Sequence, residues 1–322
     1  MFLVVTNKRD LTSDLVVLEL KRRELPFIRL NTEDFADSLI SCRPGHESLW
    51  SIDIRGSSFG TSDVDAAYFR RPEPISMPPG VANDGRLYCA LEWHAALESL
   101  YWELGSRWLN APHHIMLAEN KLRQLRLASQ CGMKIPETLA TNDPKAAAAF
   151  CEGRQVVGKP FRQALVSLEG AESVIFTTRV HIDATTDPQA IKAAPMILQK
   201  EIRKQFDVRV TVVGEKIFAA TIDSQSNPET QVDWRRSSKT DLKHLIHELP
   251  APLSAQCVQL TKMLGLRFGA IDFVLDPHGE YWFLEINPNG QWGWIESRTD
   301  LPIANAIVNE LVRIGQERQR QS

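Results

Sequence analysis

The chain reads as a mixed α/β (α+β) protein built in three units, and three features predict this. Strand-like and helix-like apolar runs alternate through the first unit, which suggests a parallel or mixed sheet. Long alternating strand patterns joined by tight turns fill the last unit. A length of 322 residues can bury a sizeable core and suggests two or three domains.

The first unit spans residues 1–112. Phe2–Thr6 is a short buried-strand run, and Asp14–Arg23 has helical spacing at Leu15, Leu18 and Leu20. Phe27–Leu30 and Ala66–Arg70 are further strand candidates. Tyr88–Leu104 spaces Leu91, Leu97, Leu100, Tyr101 and Leu104 as a long amphipathic helix. In the second unit, residues 113–202, Asn120 is placed to cap a helix that ends at Gly132, with Pro136 beyond it. Asp143-Pro144 opens another helix, Lys145–Cys151. Gln155–Lys159 and Ser173–Val180 read as strands flanking a loop, and Pro195–Ile202 as one more. The third unit, residues 203–322, starts with a hairpin, Asp207–Val213 and Lys216–Ser224, turned at Gly214-Glu215. A long polar loop, Gln225–Lys243, follows; loops of this length in a compact domain are often lids. Leu253–Leu264 is helical, then comes a second hairpin, then a closing helix from Pro302 to Glu317.

Composition excludes several classes. A net charge of −3 argues against a protein that grips nucleic acid through its backbone. Five scattered cysteines without C-x-x-C spacing point to reduced thiols in a cytoplasmic setting, not to a disulfide frame or a zinc site. The apolar run at the amino terminus is too short for a signal peptide, and none approaches the roughly 18 residues of a membrane span. The motifs of serine hydrolases, Rossmann dehydrogenases and P-loop NTPases are absent.

The most informative stretch is Gly269–Gly290, G-A-I-D-F-V-L-D-P-H-G-E-Y-W-F-L-E-I-N-P-N-G. A tight turn at Pro277–Glu280 sets Asp276 opposite Tyr281 and Asp272 opposite Glu285. Directly opposed residues lie roughly 4.5–5.5 Å apart at Cβ, and like charges there repel. Asn287 shares the face of Glu285 because strand side chains alternate. Three oxygen ligands on one face suit Mg²⁺ carried by nucleotide phosphates, although an acidic face meeting solvent is the plainer alternative. The other face, Ile271, Phe273 and Leu275 against Trp282, Leu284 and Ile286, is fit for a core.

Several basic residues have two readings. Lys159 ends an otherwise buried strand, so it either binds a phosphate or reaches water at the strand end. Lys121 begins a helix, the wrong end for a cation, which a nearby anion would explain. Arg209 shares a strand face with Asp207 and Thr211; its planar fork suits a phosphoryl group, or it pairs with Asp207 or Asp223. The run I-L-Q-K-E-I offers a backbone edge for a flat heterocycle. Arg70-Arg71 is an anion or partner contact, or a solvated pair. His113-His114 reads as a turn feature, and Trp292 and Trp294 as core or as the wall of a cleft.

The order of these pieces resembles the ATP-grasp ligases: N-K at Asn120-Lys121, V-G-K at Val157–Lys159, L-Q-K-E-I at Leu198–Ile202, D-V-R at Asp207–Arg209, A-I-D at Ala270–Asp272 and L-E-I-N-P-N-G at Leu284–Gly290. Within them the chain is most similar to the microviridin-type, or graspetide, peptide maturases. That likeness runs along nearly the whole chain and includes Y-F-R-R at Tyr68–Arg71, K-I-P-E-T-L at Lys134–Leu139, I-D-S-Q at Ile222–Gln225, D-W-R-R at Asp233–Arg236 and W-G-W-I-E after the hairpin. The resemblance implies an ATP-grasp fold: an amino-terminal pre-ATP-grasp α/β domain, a small central α/β domain and a carboxyl-terminal antiparallel-sheet domain. It implies that Lys121 and Lys159 bind ATP phosphates and that Gln199, Lys200, Glu201 and Ile202 border the adenine. Asp272, Glu285 and Asn287 would hold two Mg²⁺ ions, with Mn²⁺ as the alternative, and Arg209 and Lys159 would serve catalysis. The implied partner is a ribosomal precursor peptide with leader and core, and a homodimer is expected. Implied too is macrocyclisation through esters or amides; the alternatives are a ligase adding a free amino acid such as glutamate, or a non-catalytic nucleotide binder. The chain departs from the pattern in its single glycine across Pro160–Gly170 and in Lys200, where relatives often carry an acid.

Overall fold

The computed structural model describes residues 1–45, 49–78, 80–161, 165–168, 171–174, 176–236 and 242–321. Chain order begins with β1 (Phe2–Thr6), α1 (Leu11–Arg22) and β2 (Phe27–Asn31), then β3 (Leu39–Cys42), β4 (Trp50–Ile54), β5 (Ser57–Gly60), β6 (Ala66–Phe69) and α2 (Asn83–Leu104). β1 is the middle strand of a parallel sheet ordered β2-β1-β6, in keeping with its wholly buried sequence, apolar up to Thr6. A small antiparallel sheet, β3-β4-β5, was not expected. Its outer strands are short and largely exposed, so they carry little apolar alternation.

Next come α3 (Pro112–Ala118), α4 (Lys121–Gln130), β7 (Thr138–Thr141), α5 (Pro144–Cys151), β8 (Val156–Lys159), β9 (Leu165–Leu168), β10 (Ala171–Val174), β11 (Thr178–Val180), α6 (Pro188–Lys192) and β12 (Met196–Lys200). Asn120 and Asp143 cap α4 and α5 as expected, accepting from Arg123 N–H and Lys145 N–H. The expected single strand Ser173–Val180 is divided: β10 pairs with β9, while β11 joins the sheet β11-β8-β12-β7. Parts of the loop Pro160–Gly170 and of the polar stretch Gln225–Lys243 lie outside the described residues. His113 and His114 sit in α3, not in a turn, and His113 stacks on Trp102 at 4.5 Å.

The rest comprises β13 (Phe206–Val213), β14 (Lys216–Ile222), β15 (His244–Ile246), α7 (Ala251–Met263), β16 (Phe268–Leu275), β17 (Tyr281–Asn287), α8 (Gly293–Thr299) and α9 (Ile303–Gln321). Strands β15-β14-β13-β16-β17 form one antiparallel sheet. On one face, Val208, Val210, Ile271 and Phe273 pack with Leu127, Leu253 and Leu260 from α4 and α7. The last helix returns to the start of the chain: Ile303, Ile307 and Leu311 join Phe2, Val4 and Tyr68 in one cluster. Among the described residues no helix is long and apolar enough to cross a membrane.

Candidate active site

The second hairpin holds one departure that matters. Asp272 pairs with Glu285 as expected, and Ala270 with Asn287. Between Asp272 and Phe273 the register slips, so Leu275, not Asp276, faces Tyr281. Asp276 instead closes the turn, accepting from His278 N–H, Glu280 N–H and Trp282 Nε1. The extra residue reverses the side chains on one side of the bulge. Phe283, fully buried, therefore takes the core position against Phe273, while Leu284 turns into a cleft together with Val274. The expected apolar layer of Trp282 and Leu284 is thus replaced by Phe283.

Register then assembles a polar row across three strands. Arg209 lies directly opposite Asp272, and Asp272 opposite Glu285. Arg209 Nε is 3.1 Å from Asp272 Oδ1, so its carboxylate partner is Asp272 and not Asp207 or Asp223. Asp207 is held instead by Lys204 at 3.0 Å and by the hydroxyl of Ser224. Glu285 is paired with Arg235 Nη1 at 2.9 Å, and Arg235 also grips Asp233. Arg209 lies beneath Trp234 and Trp294, with centroids at 5.4 and 6.0 Å. Trp292 is core, fully buried and donating to Tyr68 Oη.

The two lysines meet this row from the other sheet and from α4. Gln124 of α4 donates to Ile286 C=O at 2.8 Å and accepts from Ile286 N–H at 3.1 Å, pinning the helix to β17 beside Glu285. One turn earlier, Lys121 donates to Pro160 C=O at 2.7 Å. Lys159 Nζ donates to Gln199 Oε1 at 2.7 Å. Gln199 Nε2 donates to Thr138 Oγ1, so this expected adenine neighbour is spent holding Lys159. Glu201 likewise gives its carboxylate to Arg179, leaving its backbone at the cleft. Lys200 and Ile202 line a narrow slot with Val157, Val274 and Leu284. The slot opens past Lys159 and Arg235 into a cavity of ≈ 580 Å³ bordered by Lys121, Glu285 and Asn287.

Charge here is separated without a ligand. Burial pushes the Asp272 carboxyl up to about 6; Arg209 opposes this only in part, and repulsion from Glu285 adds to the rise. Burial also raises Glu285, but Arg235, then Lys159 and Lys121, more than compensate and hold it below the usual range. Burial lowers Lys159 to about 8 and also depresses Lys121. The donor set fits a hard cation: two juxtaposed carboxylates and the Asn287 amide oxygen, which already accepts from Asn289 N–H at 2.9 Å but keeps a second lone pair. No cluster of three His, Cys, Asp or Glu side chains suited to a metal occurs among the described residues.

Sequence reasoning missed two residues. Arg235, central to the site, lay in a polar loop with no periodicity, where only the D-W-R-R spelling marked it. Arg70 is not a solvated residue, and the anion it meets is internal. It is buried, ion-paired to Asp10 at 3.1 Å, and donates to Asn289 C=O, Gly290 C=O and Gln291 Oε1, tying the loop after β17 to the first sheet.

Two sheets closing on a slot that leads to lysines and paired acids make this an ATP-grasp ligase. The chain belongs to the RimK-like ATP-grasp domain family, whose model matches residues 118–311. It is similar over its whole length to solved structures. A RiPP-associated ATP-grasp ligase from Chryseobacterium gregarium, in complex with ADP and a leader and core peptide, is 26% identical with a TM-score of 0.88, covering 97% of this chain and 96% of that one. The macrocyclase MdnB from Microcystis aeruginosa is 32% identical with a TM-score of 0.77, covering 97% and 98%. A probable alpha-L-glutamate ligase from Picosynechococcus is 28% identical over 63% of this chain and 66% of its own length.

Proposed function

We propose that this chain activates Asp or Glu side chains of a ribosomal precursor peptide as acyl phosphates and closes intramolecular esters or amides, releasing ADP and phosphate. The observation that carries the reading is similarity along 97% of the chain, amino-terminal unit included, to a ligase in complex with a leader and core peptide and to a macrocyclase. The similarity to the glutamate ligase favours a second reading, addition of a free amino acid to a carboxylate, but it spans only part of each chain.

A carboxylate is a poor electrophile at neutral pH. In the proposed reaction its oxygen attacks the γ-phosphorus of ATP and ADP leaves; a Ser or Thr hydroxyl, or a Lys amine, then attacks the acyl carbon and gives up its proton, while the bond from the acyl carbon to the bridging oxygen breaks and phosphate leaves with that oxygen. Lys121 and Lys159 hold the phosphates, the backbone of Lys200–Ile202 borders the adenine, and Arg209 steadies the carboxylate and the charge that gathers on it. Asp272, Glu285 and Asn287 would hold Mg²⁺, which would neutralise phosphate charge when bound. Trp234 and Trp294 keep water from the Arg209 side of the cleft. The peptide partner, a homodimeric assembly, a cytoplasmic setting and the three-unit division at 112/113 and 202/203 belong to the same proposal.

The test is incubation with MgATP, free glutamate and synthetic peptides that pair Thr or Lys with Glu, read by mass spectrometry. Loss of one water per ring within a peptide is expected. Gain of an amino-acid residue on the peptide would establish the second reading, and ADP release with no change in any peptide would refute both.

A further inference from the structure

Arg71 follows β6 in a left-handed backbone conformation, φ 44°, which side chains of this chirality rarely adopt. Pro72 comes next and disfavours the right-handed helical alternative. The conformation is imposed from outside: Arg71 C=O accepts from Asn7 Nδ2 at 2.6 Å, and Arg70 N–H donates to Val5 C=O at 2.8 Å. Strain of this kind persists where the surroundings over-determine it, and it gathers at binding sites.

The strained backbone turns the two adjacent arginines to different ends. Arg70 is consumed by Asp10 and the loop after β17. Arg71 has no carboxylate partner among the described residues; its one contact is Nε to Asn289 C=O at 3.4 Å, two residues beyond Asn287. It is open to solvent, yet burial, then Arg70, and also Arg209 press its pKa below the ordinary arginine range. Arg209 keeps a free donor too: it is 5% exposed and its Nε faces Asp272, but the buried Nη1 makes no hydrogen bond. Both arginines face the second hairpin, Arg71 at Asn289 and Arg209 at Asp272, and the open fork of Arg71 with the unbonded Nη1 of Arg209 suits an anion that offers two oxygens.

We propose that Arg71 is a binding residue for the carboxylate awaiting phosphorylation, gripping one Asp or Glu side chain of the substrate together with Arg209. The inference rests on the ligase reading above. It makes Arg71 a specificity-determining residue that separates acids from their amides, which cannot use both forks.

The test traps the acyl phosphate. Enzyme, MgATP and the Glu-containing peptides are incubated with hydroxylamine, and hydroxamate formed with release of phosphate is measured; peptides with Gln in place of Glu are the control. R71G is the chosen variant, because glycine adopts this backbone freely and relieves the strain while removing the guanidinium. Expected is a KM for peptide raised roughly ten- to hundredfold, the range of a lost charge-assisted contact. The KM for ATP stays within about twofold, the thermal midpoint does not fall, and R71K recovers part of the loss. Competitive binding by Gln peptides, weak in the wild type, changes little in R71G, so discrimination between Glu and Gln shrinks. Hydroxamate formation by wild type with a peptide KM unchanged in R71G would overturn this inference alone. No hydroxamate from wild type with any peptide would overturn the ligase reading and the inference with it.

Discussion

Consider Gln199→Leu, which separates holding Lys159 from touching the nucleotide. Gln199 is 2% exposed; it accepts from Lys159 Nζ at 2.7 Å and donates to Thr138 Oγ1 at 3.0 Å. Leucine has a similar volume, so packing changes little and the loss is the acceptor of a buried ammonium. A hydrogen bond to a charged group is worth about 1.5–3 kcal/mol. Each pKa unit corresponds to about 1.4 kcal/mol, so Lys159 should fall by roughly one to two units. In the wild type its pKa is about 8. Phosphate binding needs the ammonium, so affinity is fully present below that value and is lost as pH rises through it, by at most about tenfold per unit. Titration calorimetry of Mg²⁺ with a non-hydrolysable ATP analogue, run from about pH 6 to 9, reads this directly. The wild-type affinity should stay level to about pH 8 and then decline, whereas the decline in Gln199→Leu begins roughly one to two units earlier. Two curves of the same shape, one displaced downward at every pH, would mean that Gln199 acts on the nucleotide itself and would refute the argument.

Asp272→Asn and Glu285→Gln should each lower ADP formation with peptide by on the order of a hundred- to thousandfold, the scale of one lost electrostatic contact to a transition state; coupled assays that find turnover within tenfold would contradict a metal role. Gly290→Ala builds a Cβ 2.3 Å from the Ala270 Cβ, a clash between two backbone-borne atoms, and should cost about 1–3 kcal/mol by urea unfolding. Gly269→Ala meets side chains only, Ile286 Cδ1 at 2.5 Å and Cγ1 at 3.0 Å, so its midpoint should lie nearer to wild type. Arg70→Met strands the buried Asp10 carboxylate and should lose about 3–5 kcal/mol, with much of that recovered in Arg70→Met/Asp10→Asn.

Local pattern was enough for most of the frame. The strand β1, the caps Asn120 and Asp143, and the pairing of Asp272 with Glu285 follow from periodicity and spacing alone. What escaped depends on contacts distant in sequence. A one-residue bulge has no local signature here, since Phe283 and Leu284 are both apolar and either could face the core. Arg209 alternated correctly to a polar face, but which acid it meets was decided by the neighbour β16, more than sixty residues away. Gln199 looked free because Lys159 is forty residues distant. Arg70 looked solvated because the carbonyls it satisfies lie beyond residue 288. Short exposed strands such as β3 carry no alternation to read.

The charge pattern of the cleft narrows what it can hold. Asp272 remains short of positive charge even with Arg209 beside it, because burial and Glu285 together lift it to about 6. Across the row, Lys159 and Lys121 are short of negative charge, because their burial outweighs what Glu285, shared with Arg235, and Asp233 return. A simple anion would relieve the lysines and worsen Asp272; a simple cation would do the reverse. Only a ligand that brings both signs in adjoining positions, a polyphosphate with its divalent metal, lowers the energy of both halves at once. The same reasoning explains the Arg235–Glu285 pair. The guanidinium serves as an internal counter-ion, so the buried Glu285 carboxylate is compensated within the protein itself.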